Sequence, residues 1–187
     1  MMNLQDYESQ FDDILEGKNS TPPYDTDEYR EYVRMNQVRI NRWNRKAKLL
    51  PKLVDIVSNI GDDMHWLLIT EPWCGDAACS NPFITQLAAL NPKITLELQN
   101  RDSPESEIDK YLTNGTKSIP MLVVRDSSGK DLFTWGPRPK VLQEQYLENK
   151  KQQVPLQDVL KELQSWYNKN KGVDLQEELY ELFLGAV

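Results

Sequence analysis

Histidine occurs once in this chain, at position 65, and cysteine twice, at positions 74 and 79. Structural zinc wants four nitrogen or sulfur ligands, so this set is too poor for a zinc site. Two thiols also cannot staple a chain of 187 residues as a disulfide framework. No apolar run approaches the roughly eighteen residues of a membrane-spanning helix. The opening MMNLQDYESQFDD is acidic and polar, where a secretory signal needs a basic start and then an apolar stretch. These absences lead to an expected cytoplasmic location, in which thiols stay mostly reduced. Positive charge is also in deficit: 22 Lys and Arg stand against 29 Asp and Glu, a net charge of −7. A phosphate-binding surface needs the opposite balance, so neither nucleic acid nor a membrane is expected as a partner.

What remains is the composition of an ordinary globular protein, long enough for one full-sized core. There is no internal repeat and no low-complexity tract. Leu4, Tyr7, Phe11, Ile14 and Leu15 recur at helical spacing. The segment Gly17 to Asp27, with its Pro-Pro pair, reads as a linker. A longer helix follows over 28–50, in which Tyr29, Val33, Asn36, Ile40, Trp43, Ala47 and Leu50 alternate steps of four and three; Thr26 or Asp27 caps its start and Pro51 marks its end. From Arg30 onward it carries Arg34, Arg39, Arg42, Arg45, Lys46 and Lys48 against one acid, Glu31. Such a face could bind an anionic partner or a membrane surface; the preferred expectation is that Asp6, Glu8, Asp12, Asp13 and Glu16 on the first helix neutralise it. Tyr29, Tyr32 and Trp43 are assigned to the core.

Beyond Pro51 the elements alternate. Helices are expected over Lys52–Ile60, from the cysteines to Leu90, and over Pro104–Leu112; strands over Trp66–Thr70, Ile94–Leu98, Met121–Arg125 and Lys130–Trp135. Asp126-Ser127-Ser128-Gly129 makes the last two strands a hairpin. After Gly136-Pro137 the chain reads as helical, with breaks near Pro155 and Gly172. Leu156, Val159, Leu160, Leu163, Trp166 and Tyr167 are expected to cover the core. Helical crossovers join parallel strands and tight turns join antiparallel ones. The fold class is therefore α/β, a mixed four-stranded sheet in the order of elements βαβα–ββα, with extra helices at both ends. A single domain is expected over 1–187, with a helical extension at 1–50, the core at 51–150 and a second helical extension at 151–187.

The stretch WCGDAACSNP, residues 73–82, holds both cysteines. Cys74 falls where a strand ends and a helix begins. Unsatisfied amides of the first turn point at a side chain in that position, and the helix dipole favours its anion. Thiols so placed have pKa values lowered to about 3.5–7.5. Asp76, two residues on, opposes or caps, and its net sign is not given by sequence. On an ideal helix a residue three along is roughly 5 Å away and a residue five along roughly 8.6 Å. Disulfides do not span Cα separations beyond about 7 Å. A bridge between Cys74 and Cys79 thus needs the first turn to unwind, and Cys79 is read first as a small buried apolar residue.

Four landmarks together resemble the thioredoxin superfamily: Trp73-Cys74-Gly75 after an apolar strand, Pro82 eight residues past Cys74, Gly115-Thr116-Lys117-Ser118-Ile119-Pro120 opening a strand, and Gly136 after the last strand. The resemblance covers roughly Leu53 to Lys150. With its WCGDA motif and helical extensions the chain looks like a bacterial thioredoxin-like branch in which the usual second cysteine is missing. The resemblance implies a thioredoxin-like fold and a cis peptide bond before Pro120. It also implies a groove in which Trp73, Gly75, Asp76, Ile119 and Pro120 meet an extended substrate, with Arg138 of the third wall beside the Cys74 anion or on a substrate carboxylate. Three positions depart from the pattern. Ala77 stands where the family has its second cysteine, Asp76 where it has proline, and Leu68 where it has a buried carboxylate.

Two functions follow. The first is thiol-disulfide redox chemistry through Cys74, with a mixed disulfide resolved by an external thiol or by Cys79. Its partners would be protein disulfides or low-molecular-weight thiols, and it requires no metal or organic cofactor. The second is a binding or adaptor module on the same fold without turnover, which the losses at 68 and 77 favour. Iron–sulfur binding, as in one-cysteine glutaredoxins, is a weaker third, since those carry CGFS and this site reads CGDA.

Overall fold

A computed structural model describes residues 2–186. The chain runs α1 (Leu4–Leu15), α2 (Asp27–Lys46), α3 (Pro51–Ser58), β1 (Met64–Thr70), α4 (Gly75–Ala88), β2 (Ile94–Asn100), a 3-10 turn (Ile108–Lys110), β3 (Met121–Arg125), β4 (Asp131–Trp135), α5 (Lys140–Lys151), α6 (Leu156–Asn170) and α7 (Val173–Leu184). Local chemistry explains most boundaries. Asn3 and Asp6 form a reciprocal capping box at the start of α1. Thr26 accepts the Tyr29 N–H at the start of α2. Pro51 opens α3, where its missing N–H costs nothing. Helix α2 stops at Lys46 rather than reaching Leu50: residue 47 turns extended, and the Leu50 N–H is taken by Gln176 Oε1 at 2.8 Å.

The sheet order is β2-β1-β3-β4. β1 and β2 are parallel across the α4 crossover, while β3 is antiparallel to both β1 and β4. The mixed four-stranded sheet agrees with the sequence reading, but the second crossover does not. The helix expected over Pro104–Leu112 is a single 3-10 turn. Only Ile108 of that stretch is fully buried, Leu112 points outward, and Tyr111 is drawn to Asp131 at 2.7 Å. The connection from β2 to β3 begins and ends at the same end of the sheet, so β3 runs antiparallel to β1.

Side chains alternate across β1. Trp66 and Leu68 join a large core with Val33, Trp43, Phe83, Leu87 and Phe183, contributed by α2, α4 and α7. Leu67 and Ile69 face a smaller cluster with Met121, Val123, Ile108, Ile119 and Cys74. Helix α4 is buried nearly all round, packed against α2 on one side and α6 on another. Gly172, at φ +77°, joins α6 to α7 against the ring of Phe83; a Cβ there would lie 2.3 Å from a ring carbon.

Three expectations about the extensions are corrected. The segment 17–27 is not a free linker, because Tyr24 is buried and bonded to Glu71. The acids of α1 do not neutralise α2: among the described residues Arg30 pairs with Asp27 and Arg34 with Glu31, and Asp12 reaches α2 only through Gln37. In α6 the buried stripe is Val159, Leu163 and Tyr167, at four-residue steps, which leaves Leu156 and Leu160 exposed beside it.

Candidate functional site

Strand β1 ends at Thr70, and three residues carry the chain to Cys74, which caps α4. The Cys74 Sγ accepts the Ala77 N–H at 3.5 Å and donates to the Ile119 carbonyl at 3.4 Å. The peptide bond between Ile119 and Pro120 is cis. So the helix mouth and the proline loop do meet at this sulfur. The thiol's surroundings reverse one expectation, however. Cys74 is 5% exposed, closed in with Ile108, Ile119 and Met121 and with Trp73 against that cluster. Burial pushes its pKa up to about 12, and the Asp76 charge adds to the rise; the amide of Ala77 and the Arg138 charge oppose it and lose. The sequence reading weighed the helix end and left out the desolvation.

Trp73 is half-buried and held from two sides. The Tyr29 ring meets it edge-on at 5.9 Å, and the Arg101 guanidinium lies 4.7 Å over its face. Asn36 of α2 donates to the Pro72 carbonyl at 2.9 Å and accepts from Arg39 at 2.7 Å. Arg39 also lies 3.4 Å from where a side chain on Gly75 would begin. The N-terminal extension therefore braces the loop that precedes the thiol.

Asp76 is buried in the first turn of α4 and pairs with Arg138 at 2.6 Å. Tyr167 of α6 donates to its other oxygen at 2.9 Å. Arg138 in turn stacks on Tyr146 at 4.2 Å and donates to Gln143 at 2.9 Å. Groups of this chain thus engage the guanidinium that the sequence placed either beside the Cys74 anion or on a substrate carboxylate. Cys79 lies on another side of α4, in a cluster with Leu142, Val159, Leu163 and Tyr167 and near Gln164. Burial pushes it up to about 12 as well, with Asp76 adding to the rise. Both cysteines are free thiols, and they face different packing clusters. Leu68 is fully buried within the main core.

Sequence reasoning missed one acidic group. Glu71, three residues before Cys74, is 3% exposed. Tyr24 donates to one oxygen at 2.8 Å and the Asp102 N–H to the other at 3.2 Å. Desolvation raises its pKa, partly offset by those two donors. A charged residue ending an otherwise apolar strand was the available signal; its partner Tyr24 sits in the segment read as a linker. Replacing Tyr24 with phenylalanine is expected to cost about 1–3 kcal/mol, because a buried carboxyl oxygen then lacks its donor. Urea unfolding of Tyr24→Phe beside the wild type measures it, and an unchanged midpoint would show that water replaces the phenol. His65 faces Glu97 on the neighbouring strand at 3.0 Å, away from this site.

Among the described residues no cluster of His, Cys, Asp and Glu could hold a metal ion, and no helix is long and apolar enough to cross a membrane.

A crystal structure of a protein of unknown function from Pseudomonas aeruginosa is similar over 100% of both chains, with a TM-score of 0.59 and 15% identity. The crystal structure of an HIV epitope scaffold is similar over 97% of this chain and 99% of its own, with a TM-score of 0.56 and 17% identity. At such identities the likeness concerns the fold. No curated protein matches. Residues 23–157, which include α2, the four strands, α4 and Pro120, match the thioredoxin family. The cysteine at the mouth of α4, the proline loop against it and the order of the elements thus have one common explanation: the chain belongs to the thioredoxin family.

Proposed function

We propose that the protein is a thiol-disulfide exchange protein working through Cys74 alone, of the thioredoxin-like branch whose WCGDA motif lacks the second cysteine. The observation that carries this is the position of one sulfur, between the Ala77 amide and the carbonyl that precedes Pro120. The Cys74 thiolate attacks a disulfide R–S–S–R′, forming Cys74–S–S–R and releasing R′S⁻. An external low-molecular-weight thiol then attacks the sulfur of R, forms its own disulfide with R and returns Cys74 as thiolate, which takes up a proton. Trp73, Gly75, Ile119 and Pro120 border the incoming chain, which pairs with backbone at the proline loop as an added strand. Asp76 and Arg138 set the charge beside the sulfur. Cys79 is a structural thiol in this scheme.

A second reading, a binding module without turnover, is favoured by a specific observation: the resting thiol is covered and its pKa is raised. Glutathione disulfide separates the two. On folded protein the exchange reading expects one glutathionyl adduct, retained in Cys79→Ser and absent in Cys74→Ser, and reversed by dithiothreitol. Its rate should climb about tenfold per pH unit from 7 to 10, without a plateau, as the thiolate fraction grows. No adduct on the folded protein up to pH 9 would leave the module reading standing.

The same thiols set a pH dependence of stability. Their pKa values are higher folded than unfolded, so the folded state holds protons that the unfolded chain loses. The contribution is complete below about pH 9 and disappears as pH rises towards 12. At pH 10 each thiol is expected to have lost about 1–2 kcal/mol. Denaturant unfolding at pH 8 and 10 tests this, since Cys74→Ser and Cys79→Ser should each flatten the fall. A wild-type stability equal at the two values would contradict it.

A further inference from the structure

At the opposite end of β1 from Cys74, roughly 20 Å along a seven-residue strand, lies an open groove of about 640 Å³. That volume is in the range of small-molecule sites. Its apolar lining comes from four elements: Ile56 and Ile60 at the end of α3, Met64 at the start of β1, Leu132 of β4, and Tyr180 and Leu184 of α7. Four carboxylates line it as well, Asp55, Asp62, Asp63 and Asp126. Among the described residues the one cation of the lining, Lys52, is already used: it pairs with Glu177 and lies 4.4 Å over the Tyr180 ring. Of the four acids only Asp63 has an ion pair among the described residues, with Lys93 at 3.7 Å. Asp126 accepts the Ser128 hydroxyl and the backbone N–H groups of Lys130 and Ser128, which favours its anion.

The charges are spread along the lining rather than gathered on a point. No three acids of the described chain are placed to share one metal ion. A compact divalent cation therefore gains little here, and a neutral apolar ligand leaves the carboxylates uncompensated. We infer that the groove binds an organic ammonium ion with an aliphatic body: the chain lies on Ile56, Met64, Leu132 and Tyr180, and the ammonium meets the aspartates. The chemistry is non-covalent and independent of what Cys74 does.

The test uses full-length protein and four probes, octylammonium, octanol, octanoate and spermidine, titrated with detection by methyl and aromatic NMR. Octylammonium is expected to bind saturably, with shifts at Met64, Leu132 and Tyr180. Octanol should bind at least about threefold more weakly, octanoate more weakly still, and spermidine, without an aliphatic body, more weakly than octylammonium. Asp62→Asn with Asp63→Asn, both exposed, should weaken octylammonium at least about threefold and leave octanol unchanged. Leu184→Lys, which puts a cation at the exposed lip, should weaken it too. Equal affinity for the three octyl probes, tighter binding of spermidine, shifts confined to residues outside the groove, or no saturable binding would each overturn the inference.

Discussion

Gly136→Ala is expected to lower stability by about 4 kcal/mol, which for a chain of this length means a melting temperature about 10 °C lower. Gly136 has φ +137°, a backbone region that is nearly closed to other residues and costs about 1–3 kcal/mol to force. A Cβ there would stand 2.2 Å from the Pro120 carbonyl oxygen and 3.2 Å from the Met121 Cα. Both are backbone atoms, so no side chain can rotate away. Relief has to come from separating β3 from the end of β4, and Pro120 sits at that separation. The same substitution should therefore change the environment of Cys74, whose Sγ rests on the Ile119 carbonyl. Thermal melting, with the rate of Cys74 alkylation alongside it, measures both effects. A variant within about 1 kcal/mol of the wild type would mean that the close approach relaxes at no cost.

The second large effect concerns the ion pair of Asp76 and Arg138, whose side chains are 10% and 12% exposed. Removing one partner of a buried pair strands the other, typically at a cost of about 3–5 kcal/mol. Arg138→Met should lose that amount, since Tyr167 alone is left to compensate the Asp76 carboxylate. Asp76→Asn should be destabilised in the same direction by stranding Arg138. On the thiol the two variants should act in opposite senses. Asp76 raises the Cys74 pKa and Arg138 lowers it. At a fixed pH near 9, alkylation of Cys74 should thus quicken in Asp76→Asn and slow in Arg138→Met, provided both remain folded by circular dichroism. Matching shifts in the two variants would show that access, not charge, governs the thiol. The opposed pattern cannot come from general loosening, which would speed both.

The parts of this fold that could be read in advance are those specified by neighbours in sequence. The periodic Tyr7, Phe11 and Ile14, the Thr26 cap, the apolar run of β1 and the Asp126–Gly129 turn each carry their own signal, and each element formed where it was expected. The proline bond at 120 and the helix mouth at 74 were legible through the ordered landmarks of the motif. Distant packing was not. Burial of Cys74 depends on Ile108, Ile119 and Met121, at least 34 residues away in sequence by the nearest of them. The Glu71 network needs Tyr24 from the segment that precedes α2, and the fixing of Arg138 needs Tyr146 and Asp76. Each of these contacts joins residues whose pairing no local pattern announces. The helix missing at 104–112 was misread for the converse reason: a helical spacing of Ile108, Tyr111 and Leu112 exists, but Arg125 and Asp131 claim Glu107 and Tyr111 for the sheet surface.

Helix α4 is enclosed by three separate clusters, with Cys74 in one, Ala78 and Phe83 in another and Cys79 in the third. A rod wedged on so many sides does not swing outward to greet a partner. Under the exchange scheme proposed above, a disulfide reaching its first turn is expected to be slender, a single extended strand or a short thiol compound rather than a folded surface. On that scheme, selection among visitors falls on their thickness before any question of their chemistry.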